Sequence, residues 1–386
     1  MDHEKNVMIE EIELQPAFVR RSIDEVHERM KRALENREAE KINNIFLIGC
    51  GDSYCAALAA RHYMMGATRR YVEAVESLEF SRYLVEYLPE NAVVFGVSNS
   101  GTVSRTIEGV RNSKARGAWT FGLTVSDQNT LALTADVPLI LNSPPNIKEA
   151  PDGSKVVTPG TLTYTASLLG LYIASIALGE RIGSITEDAA QTRLADLRRV
   201  ADVMEQTLKA VKGQAQELAR LVTADRRIII IGGGPNYATG YFAMAKMFEA
   251  LREPAHFSEL EEWAHEQYFI TEPNTDLFVI LPPGASRDRG LEQMQAARDV
   301  GARVIVVAEE GDVEATALSD VIFEIPKGLD ESLTPFVYKL PFEYFTCYLA
   351  DSRGRAFLGF DDLNRQQVNF RQIFNSQLQA DRSSTP

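Results

Sequence analysis

Two kinds of chemistry are written into short stretches of this chain. Between Gly96 and Thr106 it reads GVSNSGTVSRT, five hydroxyl residues in eleven with a single charged side chain, directly after the apolar VVFGV. A loop that leaves a buried strand through Ser98, Asn99, Ser100 and Gly101 and opens a helix near Val103 offers backbone N–H groups and hydroxyl donors together. That is the composition of an anion site, although an ordinary N-cap draws on the same residues. A second loop, Gly51-Asp52-Ser53, follows the apolar IFLIG in the same way. The other chemistry is acid/base. In AKMFEALREPAHFSELEEWAHEQYF (Ala245–Phe269), Lys246 and Glu249 stand three apart, on one face of a helix. Glu249 has Met247, Phe248, Ala250 and Leu251 around it, where partial burial would bring a carboxylate toward general-base strength. His265 follows sixteen residues on, inside the acidic ELEEWAHE. The plainer alternative makes Glu249 half of a surface ion pair and His265 a solvated helix residue. His62 and His256 show no partner pattern and read as structural.

The elements that must position these residues come in two copies. IFLIGCGDSYCAALAARHYM (Ile45–Met64) lies over IIIIGGGPNYATGYFAMAKM (Ile228–Met247) without a gap, matching Gly49 to Gly232, Gly51 to Gly234 and Tyr54 to Tyr237. The same offset of 183 carries Gly101 onto Gly284, and an offset one larger carries Gly117 onto Gly301 and Asp136 onto Asp320. A spacing held over about ninety residues marks a duplicated unit. Each copy alternates continuous apolar runs with helical periods, which implies parallel sheets covered on both faces, with ligands beyond the strands' carboxyl ends. In the second copy Leu281-Pro282-Pro283-Gly284 stands where the first has Ser98-Asn99-Ser100-Gly101. The glycine is kept, which suggests a turn needed in both, but the hydroxyls are gone and two prolines have removed N–H donors. The anion site is therefore expected in the first copy only.

The expected organisation is a helical segment over 1–40, an α/β domain over 41–195, its twin over 196–345 and a polar tail over 346–386. SIDEVHERMKRALENREAE gives a leading helix and Thr192–Val222 a helical connector. NSPPNIKEAPDGSKVVTPG reads as a loop and the terminal QADRSSTP as disordered. The apolar Ser167–Gly179 is too short for a membrane span and reads as a buried helix.

The totals narrow the function. With 386 residues, 45% hydrophobic and 24% charged, the chain has the composition of a globular protein. Its net charge of −14 disfavours non-specific nucleic-acid binding and anionic membrane surfaces. An anionic ligand must then be held by local donors. Cys50, Cys55 and Cys347 form no disulfide framework, and the charged start MDHEKNVMIEEIE has no signal-type apolar core; both point to the cytoplasm. GCGDSY and GGGPNY lack the last glycine of GxGxxG, no His/Cys/Asp grouping has metal spacing, and no GxSxG is present. No metal and no nicotinamide cofactor is expected.

Taken together, GCGDSY, SNSG and the Lys246/Glu249/His265 spacing resemble the SIS (sugar isomerase) family in its tandem-domain form. That form is found in the isomerase half of glucosamine-6-phosphate synthase and in fructosamine-6-phosphate deglycases. The resemblance runs from about Asn43 to Arg371. It implies two tandem flavodoxin-like, three-layer α/β domains with parallel sheets. It also implies a sugar phosphate gripped by the Gly51-Asp52-Ser53 loop and by Ser98, Asn99 and Ser100, with Glu249 and His265 as catalytic acid/base groups and Lys246 beside them. Active sites shared across a homodimer follow from it as well. The chain departs from the family in having Val103 for a usual Thr and Glu266-Gln267 where Gly-Pro usually follows the histidine. Arg371 stands near the place of the tail lysine of synthase-type members. An arginine cannot form a Schiff base but can hold an anionic or hydroxylated group. The resemblance thus favours a deglycase or deaminase of a 6-phosphorylated amino sugar or Amadori compound. An aldose–ketose isomerase and a non-catalytic sugar-phosphate sensor are the alternatives.

Overall fold

A computed structural model describes residues 2–35, 38–144, 147–149 and 155–378. The QADRSSTP end lies outside the described residues. The chain folds as two compact units, each assembled from separated segments.

The unit built on Ala17–Pro145, Leu162–Arg198 and Asp362–Pro386 contains five parallel strands: β1 (Asn44–Gly49), β2 (Tyr71–Glu76), β3 (Val93–Val97), β4 (Trp119–Thr124) and β5 (Val137–Ile140). Their order is β2-β1-β3-β4-β5. This is the flavodoxin-like order, whose connections reverse direction between β1 and β3 and leave a crevice there. β3 is buried at every position, as the unbroken VVFGV requires. Helix Asp52–Thr68 leaves the end of β1 and helix Ser104–Ala115 leaves the end of β3. The first is backed by helix Leu162–Ile182. The two pack through Tyr63 stacked on Tyr172 with ring centroids 4.4 Å apart, and through the Tyr172 hydroxyl, which donates to the Ala59 carbonyl at 3.3 Å. A stacked pair of this kind adds about 1 kcal/mol to the area it buries. At 21 residues the Leu162–Ile182 helix is longer than its apolar core suggested and meets the length and hydropathy of a membrane span, yet every residue from Leu162 to Gly179 is buried in the fold. It is a core helix, anchoring the element that presents the Gly51 loop.

The second unit, Met1–Pro16, Asn146–Thr161 and Arg199–Asp361, carries the short antiparallel hairpin of β6 (Ile147–Glu149) and β7 (Lys155–Val157), so the segment read as plain loop contains two strands. Its main sheet holds β8 (Arg227–Gly232), β9 (His256–Glu259), β10 (Thr275–Leu281), β11 (Arg303–Glu309) and β12 (Val321–Ile325), ordered β12-β11-β10-β8-β9. Read from the other edge, this is the first sheet's order again, and β1 and β8 begin 183 residues apart and have the same length. The repeat extends to side chains. Asp136 Oδ2 accepts the Thr120 N–H at 3.0 Å, and Asp320 Oδ2 accepts the Val304 N–H at 2.8 Å, each tying the start of a fourth strand to the approach of a fifth.

Three sequence expectations change. The leading helix covers Asp2–Leu34, starting some twenty residues earlier than its periodic core. The connector is helical as expected, but it starts five residues earlier, as Glu187–Leu221. The polar tail holds a further helix, Leu363–Phe374, capped by the Asp362 carboxylate at the Asn364 and Arg365 N–H groups.

Candidate functional site

The crevice between β1 and β3 receives both hydroxyl loops. Gly51, at φ +55°, turns the chain from β1 into helix Asp52–Thr68, and no side chain caps that helix start. Val103 precedes helix Ser104–Ala115, again with no side-chain cap. The first-turn N–H groups of an α-helix have no partner within the helix, so two such starts on neighbouring strands concentrate donors and dipole at one place. Asp52 and Ser53, in the first turn, are half-buried.

The five hydroxyls of GVSNSGTVSRT divide between framework and surface. Ser98 is buried, with its oxygen accepting the Gly101 N–H at 3.2 Å, which leaves its own proton to donate. Thr106 is buried against the Ser77 hydroxyl at 3.0 Å, and Ser104 is buried as well. Ser100 and Thr102 are exposed, their hydroxyl oxygens 3.0 Å apart. Asn99 directs its amide to the Ser143 oxygen at 2.9 Å, while its carbonyl accepts from Thr124 Oγ1 and the Val125 N–H. Asn99 thus fixes the loop to β4 and the segment after β5. Gly101 sits at φ +67°, and a Cβ there would fall 2.0 Å from the Asn129 side chain. Only glycine fits.

Helix Ser104–Ala115 also holds a residue whose place the sequence did not reveal. Arg105 donates to the fully buried Glu108 carboxylate at 2.5 Å, to the Ser376 hydroxyl at 3.2 Å and to the Gln377 carbonyl. It draws the segment following Arg371 onto the helix of the serine loop. The Arg371 side chain itself is exposed, in the last turn of its helix.

The acid/base residues lie in the other unit. Lys246 has no exposed surface, and its ammonium sits 2.5 Å from Glu249 Oε2 and 4.9 Å from the Phe242 ring centroid. Glu249 keeps 31% of its side chain exposed. Met247, Ala250 and Leu251 face inward as expected, but Phe248 is exposed. The setting of Glu249 is therefore a buried ammonium on one side and open surface on the other, where the sequence suggested an apolar pocket. A carboxylate with one face open is reachable for proton transfer. His265 ends helix Leu260–His265 with 66% of its side chain exposed, and its Nε2 lies 3.2 Å from Glu261 Oε1. The structure brings Lys246 and Glu249 together and leaves His265 with Glu261. Beyond Phe242 lies a group the sequence reading passed over: Lys339 Nζ is 2.6 Å from Glu343 Oε1 and also bonds Gln15, all without exposed surface. The signal was present, since two opposite charges four apart in the apolar run KLPFEYF are out of place unless paired.

In the second unit the crevice between β8 and β10 has no counterpart of the serine pair, but it keeps one hydroxyl: Ser286 Oγ would lie 2.9 Å from a Cβ on Gly233. The occupant of the crevice is the Glu331 carboxylate. Glu331 Oε2 accepts the Ala285 N–H at 3.2 Å, and a Cβ on Gly284 would lie 2.1 Å from Glu331 Cδ. Gly284 is not in a left-handed conformation, so the turn of Gly101 is not repeated, contrary to the sequence reading. The second glycine gives room to a carboxylate.

With this geometry the chain belongs to the SIS domain family, whose pattern matches residues 40–170 and again 221–351. The chain is 25% identical over 328 residues to the glutamine–fructose-6-phosphate aminotransferase (isomerizing) of Mycobacterium bovis, covering 84% of this chain and 51% of that protein. It spans about half the length of the curated relatives it matches. Among solved structures, the C-terminal domain of glucosamine-fructose-6-phosphate aminotransferase from Francisella tularensis superposes with a TM-score of 0.78 at 18% identity, covering 90% of this chain and 96% of that one. Tagatose-6-phosphate ketose/aldose isomerase from Escherichia coli gives 0.73 at 17% identity, with 92% and 94% covered. These two likenesses concern the fold.

Proposed function

We propose that this chain is a cytoplasmic phosphosugar-processing enzyme, a deglycase or deaminase of a 6-phosphorylated amino sugar or Amadori compound, working as a homodimer without metal or nicotinamide. The observation that carries the reading is the crevice between β1 and β3, where two uncapped helix starts meet the hydroxyls of Ser98 and Ser100. Gly51, Asp52, Ser53 and Asn99 shape that cradle, and it takes the phosphate. Glu249, paired with Lys246, removes a proton from C1 of the open-chain ketosamine while the C2 carbonyl becomes an enol oxygen. Return of the proton to C2 leaves an imine at C1. Water hydrolyses that imine to the aldose phosphate and the free amine. His265, exposed at the end of its helix, would serve ring opening in a neighbouring subunit. Arg371, carried by the tail that Arg105 holds, is available for an anionic or hydroxylated part of the amine. Partners of the nucleic-acid or membrane type have no role in this reading.

The test is a panel of 6-phosphorylated ketosamines and aldosamines, following amine release and ketose formation separately. Amine release is expected, and Glu249→Gln should reduce kcat by about 10²–10⁴-fold, the usual contribution of a positioned base, with phosphosugar affinity kept. Interconversion of unaminated aldose and ketose 6-phosphates, with no amine released from the panel, would make the chain an aldose–ketose isomerase. Binding without turnover of any member would make it a sensor.

A further inference from the structure

We propose that Glu331 is a built-in ligand of the second SIS domain: its carboxylate fills the crevice that corresponds to the phosphate cradle and confines oxyanion binding to the first domain. The inference rests on the phosphate-site reading above. Three observations place the carboxylate there. The Ala285 N–H, four residues after the end of β10, donates to Oε2 at 3.2 Å. A Cβ on Gly284 would meet Cδ, Oε2 and Oε1 at 2.1, 2.3 and 2.4 Å, so the backbone is open at the point where the carboxylate enters. On the other wall, Gly234, the counterpart of Gly51 with the same φ of +55°, would bring a Cβ to 3.4 Å from Oε1. An oxyanion is therefore already resting between the β8 loop and the β10 loop.

Its tether is specific. Asp330 caps the turn Glu331–Phe336 by accepting the Ser332 N–H at 2.9 Å, and Thr334 Oγ1 donates to the Glu331 carbonyl at 2.6 Å. The same Thr334 oxygen accepts from Asn236 Nδ2 at 2.6 Å, and Asn236 immediately precedes helix Tyr237–Leu251. Glu331 is thus anchored to the β8 loop while its carboxylate reaches the β10 loop. A second anion brought to that place would meet like charge at contact distance, which costs several kcal/mol. Duplication of an anion-binding fold would otherwise give two phosphate sites per chain, the second in the domain that lacks the serine pair. A carboxylate from the chain itself removes it at no expense in ligand.

The experiment uses the full chain with 15N-labelled alanine and glycine, inorganic phosphate as the probe, and a Ser98→Ala/Ser100→Ala background in which the first cradle is weakened. Glu331→Gly in that background is expected to give an Ala285 amide that responds saturably to phosphate, at an affinity at least about tenfold above that of the same background with Glu331 intact. Glu331→Gln, which keeps the side-chain size and removes the charge, is read in the same way should the glycine variant fold poorly. A silent Ala285 in a variant with native melting overturns the proposal. So does an Ala285 response already present with Glu331 intact. The Gly101 amide of the wild-type chain reports the first cradle in parallel: its silence would sink the phosphate-site reading and leave the outcome at Ala285 to stand alone.

Discussion

The two domains are one sheet built twice, and they differ most where they are expected to meet a ligand. Strand order, the lengths of β1 and β8, and the aspartates at the approach to the fifth strand all repeat. The crevices do not. In the first domain it is bordered by Ser98 and Ser100, with a left-handed Gly101 packed against Asn129; in the second it is bordered by prolines and an ordinary Gly284, and a carboxylate occupies it. What both copies keep belongs to the scaffold, and what only one keeps belongs to function or to its suppression. That sorts residues more finely than burial does. Asp276, fully buried with Arg226 at 2.6 Å and Arg303 at 2.7 Å, sits at the opposite end of its sheet, at the start of β10, and fastens strands together. Lys246 is as deeply buried, but it points a half-exposed carboxylate outward.

The glycine pair tests the comparison most severely. Gly101→Ala must place a methyl on a left-handed backbone and into the Asn129 side chain, and the two effects together should cost roughly 2–5 kcal/mol. No second substitution should restore it fully, because the backbone strain remains. Gly284→Ala meets first the end of the Glu331 side chain, and its cost should be roughly 1–3 kcal/mol. Adding Glu331→Gly should recover most of that, a coupling that a double-mutant cycle in denaturant would show directly. Equal and uncoupled losses at the two glycines would mean that the crevices are alike after all.

Much of this contrast was legible in the sequence, and the part that was not has a physical reason. Ungapped repetition over Ile45–Met64 and Ile228–Met247, together with unbroken apolar runs, is enough for two parallel sheets, because a strand buried on both faces tolerates little else. The loss of hydroxyls at Leu281–Gly284 could be read directly as well. Glu331 could not, since it reaches Ala285 from 46 residues away and no local pattern encodes such a contact. Nor could Arg105 and its hold on Gln377. The turn at Gly284 was misread for a related reason: glycine serves a positive φ and a close approach equally well, and only coordinates separate the two. The extent of the Asp2–Leu34 helix escaped because periodicity is strongest in its second half, and its acidic start resembled a solvated terminus.

A milder test uses the shared aspartates. Asp136 accepts two bonds from Thr120, through the backbone N–H and the hydroxyl, and pairs with Lys114 at 3.0 Å. Burial works against its charge, but these partners outweigh it and hold its carboxyl below the usual range. Asp320 accepts the Val304 N–H and lies 3.7 Å from Arg298. Replacing either by Ala strands a strand-edge N–H, a loss of about 1–2 kcal/mol, and Asp136→Ala should be the costlier by up to about 1 kcal/mol, as read from urea midpoints. A larger loss at Asp320 would reverse the ranking of the two scaffolds.

The smallest effect concerns pH, and it too should be lopsided. The unit of the first sheet buries His27 and half-buries His62, and burial lowers the proton affinity of both below the ordinary histidine value of 6.5. At His27 burial outweighs the pull of Glu180, whose carboxylate is 4.0 Å from Nε2, while Lys31 adds to the depression and Glu28 and Asp24 oppose it. At His62 the neighbouring Arg61 acts in the same direction as burial. A histidine whose affinity is lower folded than unfolded leaves stability unchanged above pH 6.5, where both states are neutral. Below that the unfolded chain takes up the proton first, and stability falls until the folded histidine titrates, with a slope of at most about 1.4 kcal/mol per pH unit for each group. Carboxylates such as Asp136 titrate lower, so the interval from pH 6.5 to about 5 isolates the histidines. His27→Gln should flatten the melting temperature over that interval relative to the wild type. Identical curves for wild type and His27→Gln would show that the buried imidazole in the first unit carries none of the pH dependence.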